Sequence, residues 1–298
     1  MSQFRELSAS DMQAVRGFTG ESDLSYHQFT NMFMWRRVMN AKICITDRAL
    51  YVYNRYQNHP PAVFFPFCKR EDEEDCVREL LSLLPEVSTF RPVTEDQGKR
   101  LLAMFPGARM ESIRSQWDYC YLASDLIALA GRKYHTKKNH LNIFKSAYSW
   151  QWHDVNADSG DEALALLRAA SERLDLMREN EENGEPDVMP EHEANLELIS
   201  HLRRFDLRAG VITADGLPIA YSVGERIGND TALIHIEKAD REYRGAYAAI
   251  NQMLVASAFS DLTWINREED MGIEGLRKAK ESYRPAKMNE VFTVILPE

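Results

Sequence analysis

The chain is expected to fold as an α/β (α+β) protein of two similar domains, each a mixed, mostly antiparallel sheet flanked by helices. Three observations carry that expectation. The chain has 298 residues, 44% of them hydrophobic, enough for two domains that each bury a core. The order helices, three-strand meander, helix, strand, helix, strand reads twice along it, without any repeat at the level of residues. Turn formers cluster in Val155-Asn-Ala-Asp-Ser-Gly-Asp161, between a Trp-rich strand and a long helical pattern. These place an N-terminal domain at residues 1–150 and a C-terminal domain at 151–298, with the boundary between about Lys145 and Asp161.

The N-terminal half begins with helical patterns over Asp11 to Phe18 and Tyr26 to Met39. Three β-like runs follow, Lys42 to Thr46, Ala49 to Tyr56 and Ala62 to Phe67, before a helix from Glu71 that Pro85 ends. A strand at Thr89 to Pro92, a helix at Glu95 to Phe105 and strands at Arg109 to Arg114 and Asp118 to Leu122 complete this half. A basic helix starting near Lys133 bridges to the second. There, helices at Asp161 to about Asn180 and Glu191 to Phe205 flank the turn Asn183-Gly-Glu-Pro186. Strands at Arg208 to Thr213, Leu217 to Glu225 and Thr231 to Lys238 are joined by Asp215-Gly216 and Gly228-Asn-Asp230, both hairpin signals. A helix at Gly245 to Phe259, a strand at Leu262 to Asn266, a helix at Ile273 to Tyr283 and a strand at Met288 to Leu296 close the order.

Composition narrows the function. Cys44, Cys68, Cys76 and Cys120 show no Cys-x-x-Cys pair and no dense framework, which fits reduced thiols in a cytoplasmic protein. The N-terminus is charged at once and lacks a signal-peptide core, and no run approaches the roughly 20 apolar residues that span a bilayer. A net charge of −10 argues against a protein coated in nucleic acid, but the charge is uneven. Seven carboxylates lie between Glu179 and Glu193 with no Lys or Arg, whereas Arg132 to Lys145 holds five basic residues and two histidines with no acid. No Gly-x-Ser-x-Gly elbow, phosphate-binding P-loop or His-Glu-x-x-His helix appears, so serine hydrolysis, P-loop nucleotide hydrolysis and zinc proteolysis lose support, and no metal is required.

Two helices carry cations where their pattern wants apolar residues. On the basic helix, Tyr134, Leu141, Phe144 and Tyr148 form a stripe that contains Lys137, which either snorkels out or meets an anion. From Ile273 to Tyr283, Ile273, Leu276 and Tyr283 align with Lys280 among them and Arg277 at the edge; a phosphate or a buried Glu would pair Lys280. A phosphate shared by Lys137 and Lys280 explains both helices at once. Along Leu233 to Lys238, alternation puts His235 and Glu237 on one face and Lys238 on the other. His235 reads equally as a hydrogen-bonded core histidine, and Asn266-Arg-Glu-Glu-Asp270 as a solvated loop.

The strand Ile234-His-Ile-Glu-Lys238, the turn Arg241-Glu-Tyr-Arg-Gly-Ala246 and the helix opening directly after it resemble the acyl-CoA N-acyltransferase (GNAT) fold. That family's turn, Arg/Gln-x-x-Gly-x-Gly/Ala, holds a pyrophosphate on backbone N–H groups at the helix start. Arg244 and Ala249 fit, while Tyr247 stands where the middle glycine belongs. The wider pattern resembles the C-terminal domain of phosphatidylglycerol lysyltransferases and their stand-alone relatives. It is carried by Gly131-Arg-Lys-Tyr-His-Thr-Lys-Lys-Asn139 with Asn142 and Phe144, His235-Ile-Glu-Lys-Ala-Asp240, Arg244-Gly-Ala-Tyr247, Asn266-Arg-Glu-Glu-Asp270 and Gly275-Leu-Arg-Lys-Ala-Lys-Glu-Ser-Tyr283.

The resemblance implies two tandem GNAT-like domains and an acyltransferase that moves an aminoacyl group, from aminoacyl-tRNA or a similar activated donor, to an acceptor. It implies strands that splay around the donor, so that Glu237, Glu268 and Asn266 serve as the catalytic set, with Glu237 as general base. His235, Lys238, Arg267, Asp270, Tyr247 and Tyr283 would bind substrate, and Lys137, Lys138, Arg244, Gly245, Arg277 and Lys280 the phosphate-bearing donor. No cofactor is required. A tRNA acceptor end is the expected partner, and a small molecule or lipid head group the acceptor. The alternatives are an acyl-CoA N-acyltransferase using acetyl-CoA, and a non-catalytic binding protein for a small amino compound or an RNA end.

Overall fold

The computed structural model describes residues 3–57, 59–181 and 188–297. In chain order its elements begin with β1 (Arg5–Glu6), α1 (Met12–Thr19), α2 (Phe29–Trp35), β2 (Lys42–Ile45), β3 (Ala49–Asn54), β4 (Ala62–Val63) and β5 (Phe67–Cys68). They continue with α3 (Glu73–Leu83), β6 (Thr89–Val93), α4 (Glu95–Met104), β7 (Arg109–Ser112), β8 (Asp118–Leu122), α5 (Ala123–Ala128) and α6 (His135–Ala147). Then come β9 (Trp150–Val155), α7 (Asp161–Glu181), α8 (Val188–Ser200), α9 (Leu202–Phe205), β10 (Arg208–Ala214), β11 (Leu217–Ile227) and β12 (Thr231–Ala239). The chain ends in α10 (Ala246–Ala258), β13 (Trp264–Asn266), α11 (Glu274–Glu281), β14 (Lys287–Asn289) and β15 (Phe292–Ile295). The expected Asn183-Gly-Glu-Pro186 turn lies outside the described residues.

Among the described residues the chain forms two compact units, each with its own sheet. One holds residues 1–118, 269–273 and 289–298, the other residues 119–268 and 274–288. The sheet of the first unit runs β1-β2-β3-β4-β6-β15-β7, with β5 also paired to β3, and that of the second runs β9-β10-β11-β12-β13-β8-β14. The two orders correspond position by position. In each, the fourth and fifth strands, β4 with β6 and β12 with β13, are parallel, and the sixth strand is antiparallel to the fifth. The repeated element order thus becomes a repeated sheet, with one exchange. The sixth strand of the N-terminal sheet is β15, from the end of the chain, and that of the C-terminal sheet is β8, from the middle.

That exchange alters two expectations. The chain divides between Asp118 and Tyr119 rather than between Lys145 and Asp161, because α6 packs on α10 and β9 pairs with β10 along its whole length. The single strand expected over Met288 to Leu296 is two strands, parted at Glu290, that enter different sheets.

Each core follows from its sequence. In the N-terminal unit Tyr51, Val77, Leu80, Phe90, Leu101 and Val294 close the interior. Pro66 interrupts the expected Ala62 to Phe67 strand into β4 and β5, since proline cannot donate to a ladder. In the C-terminal unit α10 is rich in alanine and apolar on nearly every side, so it forms readily and sinks into the core. It packs on one face of β10, β11 and β12, while α7 covers the other. The β10–β11 hairpin turns at Asp215 and Gly216, both with positive φ, as an Asp-Gly hairpin turn requires.

Candidate functional site

The C-terminal unit opens its sheet at one place. β12 and β13 pair only over Thr231 to Leu233 against Trp264 to Asn266, after which β12 runs on to Ala239 without its partner. The chain beyond β13 follows β8 instead, through Arg267 N–H to the Tyr119 carbonyl at 2.9 Å and Tyr119 N–H to the Glu268 carbonyl at 3.1 Å. Two parallel strands thereby diverge, and chemistry-bearing side chains gather where they part.

On β12 the ladder to β11 slips: Gly224 opposes Ile234, Val223 opposes Ile236, and His235 is the extra residue. This bulge corrects the expected alternation. Ile234 packs in the same core cluster as α10, and Glu237 also faces α10, where Asn251 Nδ2 donates to its Oε2 at 2.8 Å. Arg267 Nη2 donates to Glu237 Oε1 at 2.7 Å, so a residue after β13 bridges the opening to a residue of β12. The guanidinium also lies 4.8 Å from the Tyr283 ring centre and 5.5 Å from that of Tyr121.

His235 has a fully buried ring held between two carboxylates, with Nε2 3.0 Å from Glu225 and Nδ1 3.1 Å from Glu268. Burial opposes its charge, but the hydrogen bonds to Glu225 and Glu268 outweigh that and push its pKa up to about 9. Glu268 reaches it from a left-handed backbone with φ +55°, a conformation non-glycine residues adopt at a cost. The buried Asn266 offsets part of that cost, because its Oδ1 accepts the Glu268 N–H at 2.8 Å.

Lys137 lies on α6 among the buried Tyr134, Leu141 and Phe144, and its ammonium stands 4.1 Å from the Tyr283 ring centre. Burial, and next the charge of Arg267, lower its pKa to about 8 against the smaller opposing pull of Glu237. Lys280 is buried on α11, as the stripe implies, but its Nζ donates to the main-chain carbonyl of Arg267 at 2.5 Å. It thus fastens the strand end that carries Arg267. Ile273 departs from its expected stripe and is exposed.

The remaining expected residues are dispersed. Lys238 points to the opposite face of the sheet, pairing at 3.1 Å with both Asp175 of α7 and Glu191 of α8. Asp270 belongs to the N-terminal unit, where it pairs with Arg114 at 3.4 Å and accepts the Gly272 N–H at 2.8 Å. Lys138 is exposed and donates to the Ala128 carbonyl, Arg277 is half-buried on α11, and Tyr247 is exposed at the second position of α10. At the start of α10, Gly245 has φ +92°, and a Cβ there would lie 2.2 Å from the His140 carbonyl oxygen. The Arg244 N–H is taken by the Tyr148 hydroxyl at 3.1 Å. Helix α6 therefore lies against the helix start that a pyrophosphate would need.

Sequence reasoning missed Glu225, Asn251, Tyr119 and Tyr121. An Asn in the middle of an apolar helix and a Glu in a buried strand are the signals that mark the first two. A shallow depression on the N-terminal unit, lined by Glu74, Arg78, Arg100, Ala103 and Met104, carries no comparable chemistry; Arg78 pairs with Glu74 and Arg100 with Glu73. Among the described residues no helix is long and apolar enough to cross a membrane, and no group of three or more His, Cys, Asp or Glu is placed to hold a metal ion.

The chain resembles known structures over nearly its full length. A conserved protein of unknown function from Bacteroides thetaiotaomicron is 28% identical, with a TM-score of 0.86 over 99% of both chains. L-PGS from Bacillus licheniformis is 12% identical, with a TM-score of 0.69 over 98% of this chain and 93% of that one. A tandem GNAT protein from the clavulanic acid biosynthesis pathway is 10% identical, with a TM-score of 0.51 over 98% and 97%. These similarities show the tandem GNAT-like fold that the two corresponding sheets express. No curated protein matches the chain. The family model described as phosphatidylglycerol lysyltransferase, C-terminal, matches residues 20–295, so the chain belongs to that family and has an acyltransferase-type fold.

Proposed function

We propose that the C-terminal unit transfers an aminoacyl group from an activated ester donor, aminoacyl-tRNA or its like, to a small-molecule or lipid head-group acceptor. The observation that carries this reading is the divergence of β12 and β13 with Glu237, Arg267, His235 and Glu268 gathered at the opening. An aminoacyl ester is already activated, so the enzyme's contribution is to align the acceptor and take its proton in a single displacement. Glu237 is the proton acceptor we propose. Its two oxygens each hold one hydrogen bond, from Arg267 and Asn251, which fixes the carboxylate and leaves lone pairs for a substrate N–H or O–H. His235, charged between Glu225 and Glu268, holds Glu268 and the strained turn in place.

Coenzyme A fits this site poorly. The Tyr247 ring, the His140 carbonyl against Gly245 and the Tyr148 hydroxyl on the Arg244 N–H together crowd the start of α10, where close backbone approach to pyrophosphate would be needed. We therefore propose a cofactor-independent reaction, in the cytoplasm, where aminoacyl donors are made. Native mass spectrometry with a charged tRNA pool and acetyl-CoA in competition tests the reading. Retention of charged tRNA, and release of its amino acid to an added acceptor, is expected; retention of acetyl-CoA alone would replace the reading with acyl-CoA transfer.

A further inference from the structure

The C-terminal unit contains a charge imbalance that its own side chains leave open. Lys137 and Arg267 both stand over the ring of Tyr283, and Glu237 is the carboxylate beside them. That carboxylate is already engaged on both oxygens, by Arg267 Nη2 and by Asn251. The other guanidinium nitrogen, Arg267 Nη1, is completely buried and has no hydrogen-bond partner. The Arg267 side chain as a whole is only 11% exposed. Lys137 is half-buried, and among the described residues its ammonium has neither a hydrogen bond nor an ion pair.

Each of these features is costly alone. Native interiors leave few buried polar hydrogens unpaired, and a charged donor is the most expensive of them. Two cations over one ring in a water-poor setting repel each other, and Lys137 gives up its proton more easily as a result of burial first and of Arg267 second. The positive side extends further, since Lys137 and Arg244 also act on the half-buried His140. A negatively charged oxygen group would relieve all of these costs together.

We infer that Lys137 and Arg267 form an oxyanion subsite that takes a phosphate or carboxylate group of a substrate between Lys137 Nζ and Arg267 Nη1, beside the ring of Tyr283. This deepens the acyl-transfer reading and rests on it for the word substrate. The guanidinium supplies a fixed planar donor, and the flexible lysine stem lets the ammonium move aside to admit the anion and then close on it. Glu237 stays outside the subsite as the neighbouring proton acceptor.

The test is calorimetric titration of inorganic phosphate and, separately, of acetate into the full chain, with melting temperature as a second readout. Wild type is expected to bind at least one of them and to melt higher in its presence. Lys137→Met is expected to weaken that binding by roughly tenfold or more, the loss of one charge-assisted hydrogen bond. Glu237→Gln is expected to strengthen it several-fold, because the competing carboxylate charge is gone while the amide still accepts from Arg267. A purely structural ion cluster would give no such opposite pair of effects. Tighter phosphate assigns a phosphate group, and tighter acetate a carboxylate. The subsite is overturned if neither anion binds wild type, if Lys137→Met binds as wild type does, or if Glu237→Gln binds more weakly. Aminoacyl transfer without anion binding overturns the subsite alone, and anion binding of the expected pattern without any transfer overturns the acyl-transfer reading alone.

Discussion

Raising the pH from 6.5 past 9 should remove the charge that His235 shares between Glu225 and Glu268, and the C-terminal unit should lose stability with it. The sign follows from the direction of the shift. The folded value, about 9, lies above the value of 6.5 for an unconstrained histidine, so the stabilisation is complete below pH 6.5 and lost as the pH climbs through 9. At 1.36 kcal/mol per pH unit the whole window is worth about 3 kcal/mol, of which about 2 kcal/mol is lost by pH 8. Lys137 acts in the opposite sense. Its folded value is lowered from 10.5 to about 8, so the cost of burying its charge is complete below pH 8 and relieved as the pH rises toward 10.5. The charged and titratable groups around it are Arg267, Glu237 and Tyr283, with His140 and Arg244 on its own side. Stability should therefore fall from pH 6.5 to 8 and level off above it, whereas in Lys137→Met the fall should continue to about pH 9. Urea unfolding at half-unit pH steps, with nitrogen-15 titration of the His235 ring, measures both. A ring that titrates at or below 6.5, or a His235→Gln variant with the same slope as wild type, would refute the reasoning.

Gly245→Ala should destabilise the protein by about 2 kcal/mol or more, seen as a lower melting temperature, because it adds a positive-φ penalty to a contact with the His140 carbonyl that cannot be accommodated in place. Acetyl-CoA should show no tight binding by calorimetry, and Tyr247→Gly alone should not create it, since His140 and Tyr148 still occupy the start of α10. Lys280→Met should cost about 1–3 kcal/mol by removing the bond from the buried ammonium to the Arg267 carbonyl, a loss visible in thermal unfolding. Glu237→Gln should lower the melting temperature, because it leaves the largely buried Arg267 charge without its carboxylate, and should lower aminoacyl transfer by about a hundredfold or more in single-turnover assays.

The periodicities that marked the helices and strands are local, and they carried the fold well. Tyr134, Leu141 and Phe144 recur at helical spacing because one face of α6 is buried, and the cation caught in that face, Lys137, was visible for the same reason. What local pattern cannot convey is pairing at a distance. The bulge at His235 reverses the face of Glu237 relative to strict alternation, and nothing in Ile234-His-Ile-Glu announces an extra residue. The Arg267 to Glu237 bridge joins positions 30 residues apart, and the carboxylate that meets His235 through Nε2 comes from another strand. Lys238 enters the expected site through the resemblance over His235 to Asp240, although alternation already sets it opposite Glu237, and its partners, Asp175 and Glu191, are on the helices of the other face.

The exchange of β8 and β15 sets a condition on how this chain is made. During synthesis the first sheet emerges with a gap between β6 and β7, and the strand that fills it follows every strand of the second sheet. Until then the N-terminal unit exposes two unsatisfied strand edges at its middle, the kind of surface that invites pairing with another chain. Vectorial, domain-by-domain maturation is closed to it. Deleting Val291 to Ile295 should thus damage the N-terminal unit more than the C-terminal one, and a nascent-chain proteolysis assay should find the first 118 residues protected only after β15 has emerged.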